Sequence, residues 1–292
     1  MGSLFVSMQY LLPQHALSRV VMGATRVRAR WIKDALIGAF LRGYSPDLSD
    51  AAEPDAHAFD SFNAFFTRAL RDGARPIAGG THALACPVDG TVSQAGPIEG
   101  NRIFQAKGHH YSLEALLAGA APGWAAGFRD GTFATIYLAP YNYHRIHMPN
   151  DGVLRESWYV PGRLFSVNGA TAAAVPSLFA RNERVVLLFD GDCGPFAVIL
   201  VGALFVGSMT TVWHGDVTPR SGRHAEQLAL NPTGHPLALP RGAELGRFNM
   251  GSTVILLYGK DRADLLARCA PGQVVRMGEA IGHTLPADPA AP

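Results

Sequence analysis

The first 46 residues are patterned as helices. Apolar residues recur at spacings of three and four over 17–27, and a second apolar run follows over 31–40. An earlier apolar segment over 4–12 contains two polar residues and stops at Pro13, about half the ~20 residues that a membrane-spanning helix needs. We therefore expect amphipathic helices and neither a transmembrane helix nor a signal peptide.

The rest of the chain has a different pattern. One more helix is predicted over 61–70, with phenylalanines on one face, and another over 112–118. From about residue 84, short segments rich in Val, Ile, Phe and Tyr alternate with Gly, Pro, Asn and Asp, which is typical of strands. The predicted strands are 90–95, 133–138, 153–160, 185–189, 196–205, 208–213 and 253–258. Helices followed by a run of strands predict an α+β protein with a β-rich sandwich or barrel-like core, in which residues 1–46 form helices and residues 47–292 the main domain.

Composition narrows the class of protein. The chain has 292 residues, of which 48% are hydrophobic, and 25 basic against 23 acidic residues give it a net charge of +2. This is enough apolar material for a large core, which excludes a disordered chain, and the small net charge disfavours nucleic-acid binding. Cys86, Cys193 and Cys269 are widely separated and form no CxxC, so we expect buried thiols in a reducing compartment.

The charge is concentrated at the amino end. Residues 1–46 hold six basic residues against Asp34, a net charge of +5, so the remaining chain carries −3. Apolar helices that also carry arginines are typical of segments lying in an anionic membrane interface. The alternative is that these are ordinary helices packed on the main domain, with solvated arginines.

Two short stretches contain candidate polar groups. Asp89 precedes a predicted strand in the segment 86–92, where Asp-Gly is by itself a common turn signal. His144 and His147 lie between two prolines; a helical turn would put them on one side, and an extended strand on opposite sides. Such imidazoles could act as general base and acid, begin a zinc site that still needs a third ligand, or be ordinary members of a polar loop.

A third stretch, Gly251-Ser252-Thr253, precedes a fully apolar strand. It is not a GxSxG nucleophile elbow, and such a triplet is usually a tight turn. A serine hydroxyl can, however, attack the carbonyl carbon of the preceding residue, and glycine leaves that carbonyl unshielded and permits unusual backbone angles. The attack needs a base, which an imidazole oriented by a carboxylate would supply: Asp89 with His144 or His147.

In combination, these stretches resemble the phosphatidylserine decarboxylase family, the pyruvoyl enzymes of bacteria and mitochondria, over nearly the whole chain. The family's Leu-Gly-Ser-Thr cleavage sequence is Met250-Gly251-Ser252-Thr253 here, an apolar exchange of similar volume. The similar segments are 12–19, 62–68, 87–93, 105–109, 143–149, 164–168 and 181–185.

The resemblance implies a proenzyme that cleaves itself between Gly251 and Ser252. The products would be a β chain of residues 1–251 and an α chain of residues 252–292, and Ser252 would become a covalent pyruvoyl group, the only cofactor expected.

The resemblance also assigns roles to the polar side chains. Asp89 would orient His147, His147 would deprotonate Ser252, and His144 would act in decarboxylation. No metal is implied.

The implied reaction converts phosphatidylserine to phosphatidylethanolamine and CO₂ through a Schiff base with the pyruvoyl group, as a step of phospholipid biosynthesis. Because a diacyl substrate stays in the bilayer, we expect a peripheral enzyme on the cytoplasmic side of the cell membrane, in contact with anionic lipid. The expected partner is phosphatidylserine in the membrane, and no nucleic acid is expected. The α and β chains from one proenzyme would form a heterodimer, and two such heterodimers could associate.

Other functions fit parts of the pattern. The same Ser, His and Asp could form a hydrolase acting on an external ester, and the two histidines a zinc peptidase. Residues 274–282 are similar to a turn-rich hairpin of lipoyl or biotinyl carriers, which would make the protein a non-enzymatic hybrid-barrel carrier. That segment lacks a Met-Lys-Met-like tripeptide, so we expect a structural hairpin that closes the sheet after the Ser252 strand.

Overall fold

The computed structural model describes residues 2–119, 123–205, 208–220, 222–230 and 236–285; residues 286–292 of the expected α chain lie outside them. The helices are α1 Gly2–Leu11, α2 Gln14–Thr25, α3 Arg30–Tyr44, α4 Phe62–Phe66, α5 Leu113–Leu117, α6 Trp124–Gly127, α7 Gly169–Ala172 and α8 Leu178–Arg181. The strands up to residue 201 are β1 Ala83–Ala85, β2 Gly90–Pro97, β3 Arg102–Ala106, β4 His109–Ser112, β5 Thr132–Leu138, β6 Arg145–His147, β7 Gly152–Val160, β8 Arg184–Gly191 and β9 Gly194–Val201. The later strands are β10 Met209–Thr211, β11 Gly215–Asp216, β12 Glu226–Gln227, β13 Leu237–Leu239, β14 Glu244–Phe248, β15 Ser252–Tyr258, β16 Ala263–Leu265, β17 Val274–Val275 and β18 Ala280–Thr284.

A large antiparallel sheet forms the centre of the molecule, in the order β12-β7-β8-β9-β15-β5-β2-β17, with β13 also paired to β7. Its central strand β15 begins at Ser252 and is buried along its whole length. Alternate side chains of β15 enter two different cores: Val254 and Leu256 pack into one, Ile255 and Leu257 into the other. Both faces of the sheet are therefore covered, which explains why this strand is uniformly apolar rather than alternating. The predicted α+β class, with helices first and a β-rich core after them, is confirmed.

Smaller sheets complete the core. One has the order β11-β10-β14-β6, another β1-β18-β16, and β3 pairs with β4. Residues 274–282 do not form the predicted hairpin, because β17 pairs with β2 while β18 pairs with β1 and β16. A local turn-rich pattern does not specify the strand partner, and here the two strands enter different sheets.

Short helix α4 supports a cluster of aromatic side chains. The predicted helix over 61–70 is only five residues long, capped by Ser61, whose hydroxyl accepts a hydrogen bond from the backbone N–H of Ala64. Phe62, Phe65 and Phe66 are buried against Ile37 and Phe40 of α3. The hydroxyl of Thr67 donates to a backbone carbonyl of α4 at the point where the helix ends. The helix predicted over 112–118 is present as α5.

The amino-terminal helices pack on the main domain through polar side chains. The side-chain oxygen of Gln9 accepts from the backbone N–H of Ser166 at 2.7 Å, and that of Gln14 from the backbone N–H of Leu164 at 2.9 Å. On α2 the buried residues are Gln14, Ser18 and Thr25, whereas Val20 is 69% exposed. Val20 therefore faces away from the protein, whereas Leu17 and Val21 on the same helix are half-buried. None of the described helices is long and apolar enough to cross a membrane.

The three cysteines are buried and unpaired, as predicted. Burial raises the pKa of each thiol, to about 11 for Cys193 and Cys269. They are therefore protonated and unreactive at neutral pH.

Candidate active site

Ser252 lies at the first position of β15, opposite Leu138 at the end of β5. Its side chain is fully buried, and among the described residues its hydroxyl has no hydrogen-bond partner; the neighbouring Thr253 hydroxyl has none either. Leaving a buried hydroxyl unpaired costs about 1–3 kcal/mol, so such groups are uncommon unless function requires them.

Gly251 provides space beside an imidazole. A Cβ atom at this position would lie 3.3 Å from the carbonyl oxygen of Leu138 and 3.6 Å from Nε2 of His144. The backbone of Gly251 is outside the left-handed region, so the unusual angles that glycine permits are not used in this conformation. Because Gly251 has no side chain, the peptide bond to Ser252 is open on the side of His144.

His144 is held by the loop between β5 and β6. The backbone N–H of Ala139 donates to the Asn142 side chain at 2.8 Å, and Nδ1 of His144 donates to the Asn142 carbonyl at 2.8 Å. Because Nδ1 faces a carbonyl, it carries the proton and Nε2 carries the lone pair. This Nε2 is buried without a hydrogen-bond partner in the described part of the chain.

His144 is neutral at ordinary pH. Burial lowers its pKa to about 3, and the positive charge of Arg68 acts in the same direction, against the opposing effect of the Asn142 carbonyl. The side chain is completely buried, with the ring of Phe66 against it at a centroid distance of 4.2 Å. The site therefore holds an imidazole lone pair next to the Gly251–Ser252 peptide bond.

His147 has both ring nitrogens in hydrogen bonds. Nδ1 donates to the carbonyl of Gly242 at 2.8 Å, and the hydroxyl of Tyr143 donates to Nε2 at 3.0 Å. Burial lowers the pKa of His147. His147 ends β6, so the segment is extended rather than a helical turn, and His144 and His147 have different hydrogen-bond partners.

Asp89 is buried in an ion pair with Arg75. The Arg75 guanidinium donates to both Asp89 oxygens, at 3.1 and 2.7 Å, and the backbone N–H of Met277 donates to Oδ1 at 2.8 Å. Arg75 also contacts Asp50 at 2.6 Å, and the two carboxylates raise the pKa of the guanidinium. A Cβ atom at Gly90, the residue after Asp89, would overlap the backbone of β5. The glycine of this Asp-Gly pair therefore allows close packing of two strands and does not form a hairpin turn.

The predicted triad residues lie in adjoining segments without being bonded to each other. The backbone N–H of His147 donates to the carbonyl of Pro87 at 2.9 Å, which brings β6 beside the Asp89 segment, and the charge of Asp89 slightly opposes the lowering of the His147 pKa. No hydrogen bond between Asp89 and His147, or between His147 and Ser252, occurs among the residues described. Of the two predicted histidines, His144 is the one that lies beside Gly251.

Two cavities flank the site. A charged cavity of about 160 Å³ is lined by residues that include Arg68, Arg75, Asp89 and Tyr143. An apolar groove of about 330 Å³ reaches Gly251 and is lined by residues that include Phe40, Tyr137, Phe205 and Met250. The described residues contain no group of three His, Cys, Asp or Glu side chains that could hold a metal ion.

Arg68, Arg75 and Tyr143 were not predicted from the sequence. Arg68 and Tyr143 lie within segments that carry the family resemblance, which is the only signal that could have indicated them. Arg75 lies outside the segments that carry the resemblance, and nothing in the sequence indicates its role, because its partners Asp50 and Asp89 are brought to it by the fold.

Comparison with known proteins identifies the family of the chain. The family model for phosphatidylserine decarboxylase matches residues 62–283, and a model described as PSD matches residues 4–45. A phosphatidylserine decarboxylase proenzyme of Pseudomonas aeruginosa PAO1 is 54% identical over 279 residues, covering 95% of this chain and 96% of that protein. Proteins of the same name from Pseudomonas fluorescens Pf-5 and Pseudomonas putida GB-1 are 51% and 52% identical, covering 97% of this chain and 98% and 99% of their own. The family-model match over residues 62–283 and relatives more than 50% identical over nearly the whole chain show that it belongs to the phosphatidylserine decarboxylase family.

Proposed function

We propose that this protein decarboxylates phosphatidylserine to phosphatidylethanolamine after cleaving itself between Gly251 and Ser252. The observation that carries the proposal is the buried Ser252 hydroxyl, which has no hydrogen-bond partner in the described structure and follows a glycine that leaves space beside His144 Nε2. Relatives that match over nearly the whole chain are named proenzymes, which supports a maturation step.

Self-cleavage uses only this chain's own atoms. The Ser252 oxygen attacks the Gly251 carbonyl carbon, its proton passes to a base, and the peptide C–N bond breaks as the Ser252 nitrogen takes up a proton. Residue 251 is then joined to Ser252 by an ester. Loss of the Ser252 α-proton with cleavage of the Cβ–Oγ bond releases the Gly251 carboxylate and leaves dehydroalanine. Water converts this to a pyruvoyl end and ammonia.

We assign the base to His147, oriented through the Asp89 segment. Its Nε2 accepts a hydrogen bond from Tyr143, so the assignment requires that this bond opens and Nε2 turns towards Ser252. The Arg75 guanidinium fixes the position of Asp89 next to β6, where a negative charge stabilises a protonated imidazole. His144 is the competing base, because it already lies beside Gly251.

The environment of residue 252 fits a pyruvoyl group, since the position is buried, the neighbouring glycine leaves space, and His144 Nε2 has no hydrogen-bond partner among the residues that the structure describes. When formed, this group supplies a carbonyl that condenses with the substrate amine and accepts electrons as CO₂ leaves. Neutral His144 Nε2 can accept the proton that the substrate ammonium must lose before its nitrogen can react. His144 can then pass a proton to the carbon from which CO₂ departs, so it acts as a relay that is neutral before and after the step.

The amino-terminal helices support attachment to a membrane surface, which we propose is the cytoplasmic side of the cell membrane. Val20 of α2 and Trp31 of α3 are 69% and 77% exposed, within the segment that carries a net charge of +5. Exposed apolar side chains among arginines suit an interface of anionic lipids. The apolar groove beside Gly251 is partly lined by Phe40 and Tyr44 of α3, so it can receive an acyl chain from the same surface. Cleavage would leave the α and β chains associated, because β15 is paired on both edges with strands of the β chain.

A decarboxylation assay on purified protein tests the function. We expect the two-chain protein to release CO₂ from phosphatidylserine vesicles and to lose this activity with hydroxylamine, which reacts with ketones. An ester hydrolase built on the same serine would instead be active as one chain and insensitive to hydroxylamine. Activity of the uncleaved chain would overturn the proposal.

A further inference from the structure

The buried guanidinium of Arg68 lines the charged cavity. The residue follows α4 and is only 4% exposed, and within the described residues its Nε and Nη1 atoms have no hydrogen-bond partner. The guanidinium lies 5.7 Å from the centre of the Phe65 ring. Burial lowers the pKa of Arg68, although an arginine remains charged in proteins. Burying a cation without an ion-pair partner is energetically costly, so we expect a bound anion to pair with the Arg68 guanidinium.

The carboxylates near Arg68 are committed to other groups. Asp89 and Asp50 both bind Arg75, and Asp47 accepts from the backbone N–H of Ser49 at 2.9 Å. Arg68 makes no ion pair within 4.0 Å in the described part of the chain. It is therefore a cation in the charged cavity whose guanidinium is free to bind a ligand.

The position of Arg68 connects it to both imidazoles. It lines the same cavity as Asn142, whose carbonyl holds His144, and Tyr143, whose hydroxyl binds His147. Its charge is also close enough to lower the pKa of His144. An anion bound by Arg68 would thus lie next to the groups that act on residue 252.

We propose that Arg68 binds an oxyanion of the substrate headgroup, and that this oxyanion is the phosphodiester. The inference rests on the proposed function. A headgroup of phosphatidylserine has two oxyanions, the carboxylate and the phosphodiester, and the fork of a guanidinium matches either. Holding the carboxylate would stabilise the ground state against loss of neutral CO₂. The charge of the phosphodiester is unchanged by the reaction, so binding it positions the headgroup without raising the barrier.

Calorimetric binding to the Ser252→Ala chain tests this assignment without turnover. The probes are glycerophosphoserine, glycerophosphoethanolamine, which lacks the carboxylate, and O-methylserine, which lacks the phosphate. Arg68→Gln is expected to weaken binding of both phosphodiesters by about tenfold or more, as for loss of a charge-assisted hydrogen bond, with partial recovery in Arg68→Lys. Arg71→Gln is the matched control, since Arg71 is 63% exposed, and its affinities should stay within about twofold of the parent's.

The other outcomes contradict the proposal. Unchanged binding in Arg68→Gln, or no binding of the phosphodiesters to the parent chain, would remove Arg68 as the anion site. Weakened binding of glycerophosphoserine and O-methylserine with glycerophosphoethanolamine unaffected would assign Arg68 to the carboxylate. Thermal unfolding of each variant identifies loss of binding that comes from misfolding. If Arg68→Gln is misfolded, the affinity of Arg68→Lys for the two phosphodiesters tests the assignment instead.

Kinetics of the mature enzyme separate this inference from the proposed function. Arg68→Gln should raise KM for phosphatidylserine more than it lowers kcat, with rates normalised to the cleaved fraction. If the unsubstituted chain decarboxylates phosphatidylserine but KM is unaffected by Arg68→Gln, only the Arg68 assignment fails. If the unsubstituted chain neither cleaves nor decarboxylates, the proposed function itself fails.

Discussion

The ring of Phe66 lies against the ring of His144, with 4.2 Å between their centroids. Phe66 belongs to α4, which packs on α3, so the aromatic cluster of the amino-terminal region covers one face of a candidate catalytic imidazole. This contact contributes to the burial that lowers the His144 pKa. The amino-terminal helices are thus part of the site as well as a candidate membrane surface.

The neutral state of His144 should make the protein sensitive to acid. Its pKa is about 3 in the folded chain against 6.5 when unperturbed, so between these values the unfolded state binds a proton that the native state does not. The His144 contribution to the free energy of unfolding should therefore fall with decreasing pH, from about pH 6.5 towards 3, by up to about 1.4 kcal/mol per pH unit. Urea unfolding at several pH values measures this slope. It should be flatter in His144→Gln and unchanged in His283→Gln, which alters an exposed histidine; equal slopes in the two variants would contradict the burial argument.

The two histidines should have separable effects. His147→Ala is expected to slow self-cleavage by about 10²-fold or more through loss of the general base, whereas His144→Ala should cleave and then turn over slowly. Gel analysis over time after synthesis gives the cleavage rates, and decarboxylation per cleaved chain gives turnover. The reverse pattern, with cleavage blocked only in His144→Ala, would assign the base to the imidazole that lies beside Gly251.

The ion pair at Asp89 should matter for stability. Arg75→Met leaves Asp89 buried without its cation and should lower the free energy of unfolding by about 3–5 kcal/mol. Arg71→Met removes an exposed partner of Asp50 and should cost less than about 1 kcal/mol. Denaturant unfolding of the Ser252→Ala chain compares the two without interference from cleavage. Similar losses would mean that the Asp89 carboxylate does not depend on Arg75.

The exposed apolar side chains of the amino-terminal helices should bind lipid. Val20→Ser with Trp31→Ser should weaken flotation with vesicles containing anionic lipid by about tenfold or more, because each removes apolar area from the interface. Val274→Ser is the matched control, since Val274 is 73% exposed on the main domain. Undiminished flotation of the double variant would mean that α2 and α3 do not contact the membrane.

The sequence predicted individual helices and strands better than it predicted which strands pair with each other. Strand β15 was predictable because an uninterrupted apolar run suits a strand buried on both faces. The partners of β17 and β18 were not, since nothing within residues 274–282 specifies which sheet each strand joins.

The same limit applied to the site. Ser252, His144, His147 and Asp89 could be identified as chemically able side chains, but the hydrogen bond from Tyr143 to His147 depends on how the β5–β6 loop folds. The helix over 61–70 was predicted too long because Leu70 continues the apolar face of Phe62, Phe65 and Phe66, whereas the helix ends at Phe66.

Intact mass spectrometry of the purified protein tests the central claim most directly. The account predicts two chains, one of residues 1–251 and one of 41 residues whose first residue carries a pyruvoyl mass, and a single 31.1 kDa chain for Ser252→Ala. A single full-length chain that decarboxylates phosphatidylserine, or normal cleavage in Ser252→Ala, would contradict it.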